Sequence, residues 1–377
     1  MGNRHSAAEL KQMQSLPLEA KIRMSEERIK VWYESWVKFE IYNGTTGKNR
    51  FTTIDTRGFE VEPLLKENEW IKSAVDGQVY VSFSGGKDST VLADLCAKVC
   101  KKYGWTLYLF FANTGLEYPE IQKSVKIYAE WLRNTYKIEV VLDIVRPEMR
   151  FDEVIKKYGY PAISKDVSNC VYGAKRNSKV RMERLNGTLK NKDCQLSMFN
   201  CAKWKFLLDA PFDVSDQCCD VMKKKPAKQY GKQTGKKPIL GMLASESVKR
   251  KNAWMKTGCN AFDKRNPQSQ PMSFWTEQDV LRYIKEYNIP FCSVYGEIIE
   301  KEGDLKTTCE NRTGCIFCMF GCHLEKEPNR FQRLKETHPR QYEYCINGGE
   351  MVDGKWRPNK EGLGLGKVLD YIGVKYE

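Results

Sequence analysis

Six consecutive residues, Ser84-Gly85-Gly86-Lys87-Asp88-Ser89, have the types needed to hold a phosphate. Two glycines let the main chain approach phosphate oxygens, Lys87 brings a point charge, and Ser84 and Ser89 bring hydroxyl donors. Asp88 adds a carboxylate able to help hold Mg2+. The four residues that separate the first glycine from the Gly-Lys pair in the ordinary P-loop are missing, so this is a different phosphate loop. The same string also suits a tight strand-to-helix turn with no ligand.

The other chemistry-bearing residues are thiols. Fourteen cysteines in a chain with no export signal argue against a disulfide framework, because a reducing cytoplasm keeps thiols free. Metal or redox chemistry is the better explanation, and it centres on the adjacent Cys218 and Cys219 and on the group Cys309, Cys315, Cys318 and Cys322. Four thiolates suit an iron–sulfur cluster or zinc alike, with His323 or His338 able to fill one corner.

Sixty-two Lys and Arg against 48 Asp and Glu give a formal charge of +14, which favours polyanionic partners. Much of the excess lies between Lys156 and Lys256, including Lys223-Lys224-Lys225 and Lys249-Arg250-Lys251. That stretch is either a solvated basic face or a groove for a phosphate backbone. No apolar run is long enough for a membrane span. Gly2 and Ser6 fit an acylation pattern without an apolar signal region behind them, so the expectation is a soluble, cytoplasmic protein.

Strand, loop and helix signals place the phosphate loop. Val79 to Phe83 reads as a strand, Thr90 to Lys102 as a helix, Leu107 to Ala112 as a strand, Ile121 to Tyr136 as a helix and Ile138 to Val145 as a strand. Alternation of this kind predicts an α/β fold, a doubly wound, mostly parallel sheet. Ligands then belong at the carboxyl ends of the strands, where residues 84–89 and Asn113-Thr114-Gly115 both fall. Before this lies a helical segment, with Glu19 to Lys38 as one amphipathic helix and Asn43 to Gly58 as a loose polar boundary. Pro238 to Leu243 reads as a further strand, and Thr276 caps a helix over Glu277 to Tyr287. The expected division is 1–70, an N-terminal helical segment; 71–300, the nucleotide-binding domain; and 301–377, a Cys-rich C-terminal region.

The hexapeptide resembles, residue for residue, the loop of the PP-loop ATP pyrophosphatases. That resemblance implies a grip on the β and γ phosphates of ATP while the α-phosphate is attacked. Asn113-Thr114-Gly115-Leu116-Glu117-Tyr118-Pro119-Glu120, Gly241 to Arg250 and Pro271 to Tyr283 are similar to signatures of the phosphoadenosine phosphosulfate reductase family, so the likeness runs from about Gln78 to Pro290. It implies an adenine nucleotide alpha hydrolase-like fold. Nucleotide contacts are then expected from Ser82, Phe83, Ser84, Gly85, Gly86, Lys87, Asp88, Ser89, Asn113, Thr114, Gly115, Glu117, Glu246, Ser247 and Arg250, with Lys87, Asp88 and Ser89 nearest the chemistry. One departure stands out: the family's arginine is replaced by Leu243, so its phosphate contact must come from elsewhere, such as Arg250 or Lys249.

Cys218-Cys219 with the following Lys and Pro226 resembles an element of iron–sulfur adenylylsulfate reductases, in which a distant Cys-x-x-Cys completes a [4Fe-4S] site. Here that partner is Cys315 and Cys318. The local set of Cys309, Cys315, Cys318 and Cys322 is the rival, closer to a zinc knuckle or to the cluster of phosphorothioation ATPases. The family's terminal Glu-Cys-Gly-(Leu/Ile)-His nucleophile is absent, and Cys345 reads as structural.

The leading expectation is therefore an enzyme that splits ATP to AMP and pyrophosphate to activate a substrate for sulfur transfer, with the cluster delivering or relaying sulfur. Nucleic acid would dock on the basic stretch from Lys175 to Lys256, and a cysteine desulfurase or a reductant would act as partner. The alternatives are a reductase of sulfonucleotides (PAPS or APS) and a non-catalytic nucleotide-binding accessory protein of a defence or mobile-element system.

Overall fold

The computed structural model describes residues 3–57, 64–262 and 265–377, so Gly2 of the acylation pattern lies outside the described residues. The residues form two compact units. One comprises Met1–Asn113, Tyr118–Val145 and Ala227–Thr313; the other comprises Thr114–Glu117, Arg146–Pro226 and Gly314–Glu377. The Cys-rich stretch from residue 301 is thus divided at Thr313.

The first unit opens with α1 (Ala7–Gln14) and α2 (Leu18–Ser35). Ser6 caps α1 in a box with Glu9, which gives this serine a structural job. α2 buries Leu18, Ile22, Ile29 and Trp32, and its Lys21 makes a buried 2.7 Å ion pair with Asp279.

Past Ser35 the expectation of a helical segment fails. Trp36–Asn43 (β1), Lys48–Asp55 (β2) and Glu69–Val75 (β3) form an antiparallel sheet of order β2-β1-β3. Val37, Phe39 and Ile41 alternate inward with period two, which a strand satisfies and a helix does not. The supposed polar boundary from Asn43 to Gly58 holds a hairpin turn, with Asn43 Oδ1 taking the Thr46 N–H at 2.8 Å and Gly47 at φ +66°, and then the whole of β2; Gly58 lies outside the described residues.

The central sheet of this unit consists of β4 (Val79–Ser82), β5 (Leu107–Ala112), β6 (Val140–Val145), β7 (Lys237–Leu240), β8 (Asn260–Ala261) and β9 (Gln268–Ser269). Its order is β6-β5-β4-β7-β9-β8, with every pairing parallel except β8 with β9. The chain runs outward from β4 through β5 to β6 and then returns to the other side of β4 as β7. This reversal leaves a crevice beyond the carboxyl end of β4. The helices α3 (Lys87–Tyr103) and α4 (Pro119–Tyr136) follow β4 and β5. β4, β5, β6, β7, α3 and α4 lie where the sequence pattern predicts them, within about three residues, whereas the two-residue strands β8 and β9 were not anticipated.

The second unit is mainly helical. It includes helices at Phe151–Tyr158, Lys165–Ala174, Lys179–Asn186, Arg330–Thr337, Pro339–Ile346 and Leu365–Tyr371. Among the described residues no helix is long and apolar enough to cross a membrane.

Candidate nucleotide site and cysteine cavity

The phosphate loop joins β4 to α3, with Gly86 as the N-cap of α3. Gly85 adopts φ +72°, and a Cβ there would stand 2.9 Å from the Cγ2 atoms of both Ile121 and Val125 on α4. Only glycine meets both conditions. The serine hydroxyls are used inside the loop: Ser84 Oγ lies 3.0 Å from Ser89 Oγ, which also donates to Gly86 O at 2.9 Å and receives Ser84 N–H at 3.2 Å. They set the loop's shape before any ligand arrives.

Lys87 is 4% exposed. Its ammonium donates to Asn311 O at 2.7 Å and pairs with Glu277 Oε1 at 3.0 Å, while its backbone N–H donates to Tyr295 Oη at 3.2 Å. Glu277 is held in place by the capping box that Thr276 and Asp279 make at the start of the helix Glu277–Glu286. Asp88 is different. Its Oδ1 is buried without a hydrogen-bond partner among the described residues, and burial raises its pKa, with Lys87 acting against the shift. An orphaned carboxylate oxygen in a phosphate loop fits a site for a cation.

A cavity of about 310 Å³ opens beside the loop, lined by Lys87, Asp88, Leu243, Ser245, Glu246, Thr276, Glu277, Gln278 and Arg312. The segment after β7 reaches it closely enough that a Cβ on Gly241 would meet Asp88 O at 3.2 Å. Glu246 lines the cavity and pairs with Arg250; Ser247 caps the helix Val248–Thr257 by accepting Arg250 N–H at 3.3 Å. Burial lowers the Arg250 pKa, and the neighbouring charge of Arg312 adds to the effect.

Leu243 is buried at the cavity wall, while Arg312 lines the same cavity with no hydrogen bond or ion pair among the described residues. Sequence reasoning missed Arg312, Tyr295, Asn311 and the Glu277 pairing. Asn311 is 224 positions from Lys87, so no local signal marks their meeting.

Ser82 ends β4, and Phe83 is buried beneath the loop. Asn113 donates its N–H to Val145 O at 2.9 Å. Thr114, Gly115 and Glu117 belong to the second unit. Buried Glu117 takes Thr114 N–H at 3.0 Å and Thr114 Oγ1–H at 2.7 Å, closing a turn in which Gly115 has φ +74°.

In the second unit, Cys218, Cys219, Cys315 and Cys318 line one small cavity with Leu116, Phe151, Met222 and Lys223. Cys218 and Cys219 lie on the short helix Gln217–Cys219 that runs into a π turn, Asp220–Lys224. A hydrogen bond from Cys218 lowers the Cys219 thiol against the effect of burial, with Lys165 and Lys223 helping, and the same bond raises Cys218. Burial pushes Cys315 up to about 11 and also raises Cys318. Of the rival local set, Cys309 is exposed and belongs to the first unit, and Cys322 is buried and is not among the residues that line this cavity. Among the described residues no three His, Cys, Asp or Glu are grouped so as to hold a metal ion. Cys345 is fully buried, which raises its thiol well above its usual range and suits a structural role.

A parallel sheet with this strand reversal and this loop defines a PP-loop α/β protein. The family model of the phosphoadenosine phosphosulfate reductase domain matches residues 78–199 and 182–310, more than half of the chain, and the chain belongs to that family. No curated protein matches it. Among solved structures it is similar to the U34-tRNA thiolase NcsA from Methanococcus maripaludis, solved with its [4Fe-4S] cluster. The identity is 15%, and 95% of this chain and 90% of that one are covered at a TM-score of 0.33, a likeness too loose to bear on activity.

Proposed function

We propose that this protein cleaves ATP between its α and β phosphates to activate an oxygen of its acceptor for replacement by sulfur. The acceptor oxygen attacks the α-phosphorus, the bond to the bridging oxygen breaks, and pyrophosphate leaves with that electron pair. The adenylated acceptor then loses AMP when a sulfur nucleophile attacks the atom that carried the oxygen. The observation that carries the reading is Asp88: a buried carboxylate oxygen with no hydrogen-bond partner among the described residues, in a complete phosphate loop beside a cavity.

The Gly85 and Gly86 amides, the N-terminus of α3 and Lys87 would stabilise the departing pyrophosphate. Asp88 would hold Mg2+, which when bound neutralises phosphate charge. Arg312 supplies the cation that Leu243 does not. Cys218, Cys219, Cys315 and Cys318 would hold a [4Fe-4S] cluster, whose chemistry when bound is sulfur handling, and Lys165 and Lys223 would offset its negative charge. The formal charge of +14 favours nucleic acid as the acceptor.

The test is incubation of the anaerobically purified protein with α-labelled ATP, Mg2+ and bulk cellular RNA or DNA. Labelled AMP and an equal amount of unlabelled pyrophosphate are expected. Release of ADP, or no turnover with either nucleic acid, overturns the reading.

A further inference from the structure

The second unit carries a tight turn that its own hydrogen bonds hold rigid. Ser197 N–H donates to Leu189 O and Asn191 N–H to Gln195 O, each at 2.8 Å, and Asn191 Oδ1 takes the N–H groups of Asp193 and Gln195 at 2.9 Å. Its root is tied down by Arg184 Nε to Phe199 O at 2.7 Å and by Asn200 Nδ2 to Leu189 O at 3.0 Å. This braced turn nevertheless leaves Leu196 67%, Met198 89% and Phe199 62% exposed. Single exposed apolar residues are ordinary, but three on one ordered turn form a patch that gains nothing from its own chain.

Lys203-Trp204-Lys205-Phe206 follows at once, on the 3-10 helix Ala202–Leu208 that packs against the helix Lys179–Asn186. Cations and rings alternate there, with Lys203 Nζ 4.9 Å from the Trp204 ring centre and Phe206 partly exposed. Between Thr188 and Phe206 stand four lysines and one aspartate. Lys190, Lys192, Lys203 and Lys205 are all exposed, and none makes an ion pair among the described residues.

We infer that this turn and the 3-10 helix behind it are a docking surface for single-stranded nucleic acid. Unpaired ammoniums meet phosphates, and exposed Phe199, Met198 and Phe206 present flat or soft apolar faces to unstacked bases, which every base can use. The inference rests on the reading of the acceptor as a nucleic acid and narrows the basic stretch to one braced element.

The experiment measures binding of fluorescein-labelled single-stranded RNA and DNA oligonucleotides by anisotropy across a salt series. A variant carrying Met198→Ser and Phe199→Ala is expected to bind roughly tenfold more weakly with an unchanged salt slope. A variant with Lys190, Lys192, Lys203 and Lys205 changed to Gln is expected to lose about 0.7 of log-log salt slope per lysine. All the changed side chains are solvent-facing, and circular dichroism confirms folding. If the unaltered protein binds but both variants match it, the docking surface is overturned while the nucleic-acid reading stands. If the unaltered protein binds neither oligonucleotide, the acceptor reading itself falls. Conversion of a dimer to a monomer by the apolar variant, with oligonucleotide binding intact, marks a protein interface and overturns the inference.

Discussion

Lys87 and Glu277 form an ion pair of 3.0 Å in which the lysine is almost fully buried and the glutamate is about half exposed. The loop's cation is thus already engaged, and a nucleotide phosphate must compete with Glu277 for it. A half-exposed pair is worth only about 0.2–1 kcal/mol. Glu277→Gln is therefore expected to lower the KM for ATP by a factor of a few, at most about fivefold. Lys87→Ala is expected to abolish AMP formation. Steady-state kinetics on both variants checks this; a KM that rises in Glu277→Gln assigns the glutamate to ligand binding instead.

Gly85 couples the loop to α4. An alanine there must hold φ +72° while its Cβ meets Ile121 and Val125 at 2.9 Å. The left-handed conformation alone costs about 1–2 kcal/mol. Gly85→Ala is expected to lower the Tm and to remove the thermal stabilisation that added ATP gives the unaltered protein. Gly104→Ala, at φ +71° with open space around its Cβ, is expected to show the first effect and not the second.

Arg312 lines the loop cavity with no hydrogen bond or ion pair among the described residues. A charged hydrogen bond to phosphate contributes about 1.5–3 kcal/mol, so Arg312→Ala is expected to raise the KM for ATP roughly tenfold to a hundredfold. Arg312→Lys keeps the charge without the fork and should recover part of the loss. An unchanged KM in Arg312→Ala removes it from the site.

The parts of this molecule written in local periods were legible. The β4 strand, the loop and α3 each carry their own signal within a few residues, and Thr276 announces its helix by side-chain chemistry alone. The β1–β3 sheet was not, because Trp32 and Trp36 continue a helical spacing past the true helix end at Ser35, and the Asn43 turn looks like a linker until its partner strands are seen. Contacts such as Lys87 with Asn311 leave no trace in either segment. The meeting of Cys218-Cys219 with Cys315 and Cys318 at one cavity was readable only through resemblance, since periodicity offers nothing over that separation.

Glu69 gives the β1–β3 sheet a pH dependence. It accepts Arg50 Nε at 3.0 Å and Nη2 at 2.5 Å, and Lys66 N–H at 2.9 Å, and the Arg50 bonds above all bring its carboxyl from 4.5 down to about 2. A depressed carboxylate stabilises the fold above the unfolded value and loses that contribution as the pH falls from about 4.5 through about 2. Glu69→Gln is therefore expected to lower the Tm at pH 7, and the gap to the unaltered protein should close progressively under acid. Thermal melts over that range decide it; a gap that stays constant removes Glu69 ionisation as its cause.

The cysteine cavity makes the sharpest division among the fourteen thiols. If the distant pairing holds the cluster, anaerobically purified protein should be brown and contain about four iron atoms per chain. Ser in place of Cys218, Cys219, Cys315 or Cys318 should each lower iron content and the visible absorbance together. Cys309→Ser and Cys322→Ser, whose thiols do not line the cavity, should keep both. Iron lost in these last two variants instead of Cys218→Ser and Cys219→Ser would move the ligand set to the local group. Colourless protein with stoichiometric zinc would leave the cavity a structural site and take sulfur handling away from it, because zinc in a closed thiolate site has no redox chemistry and no open position.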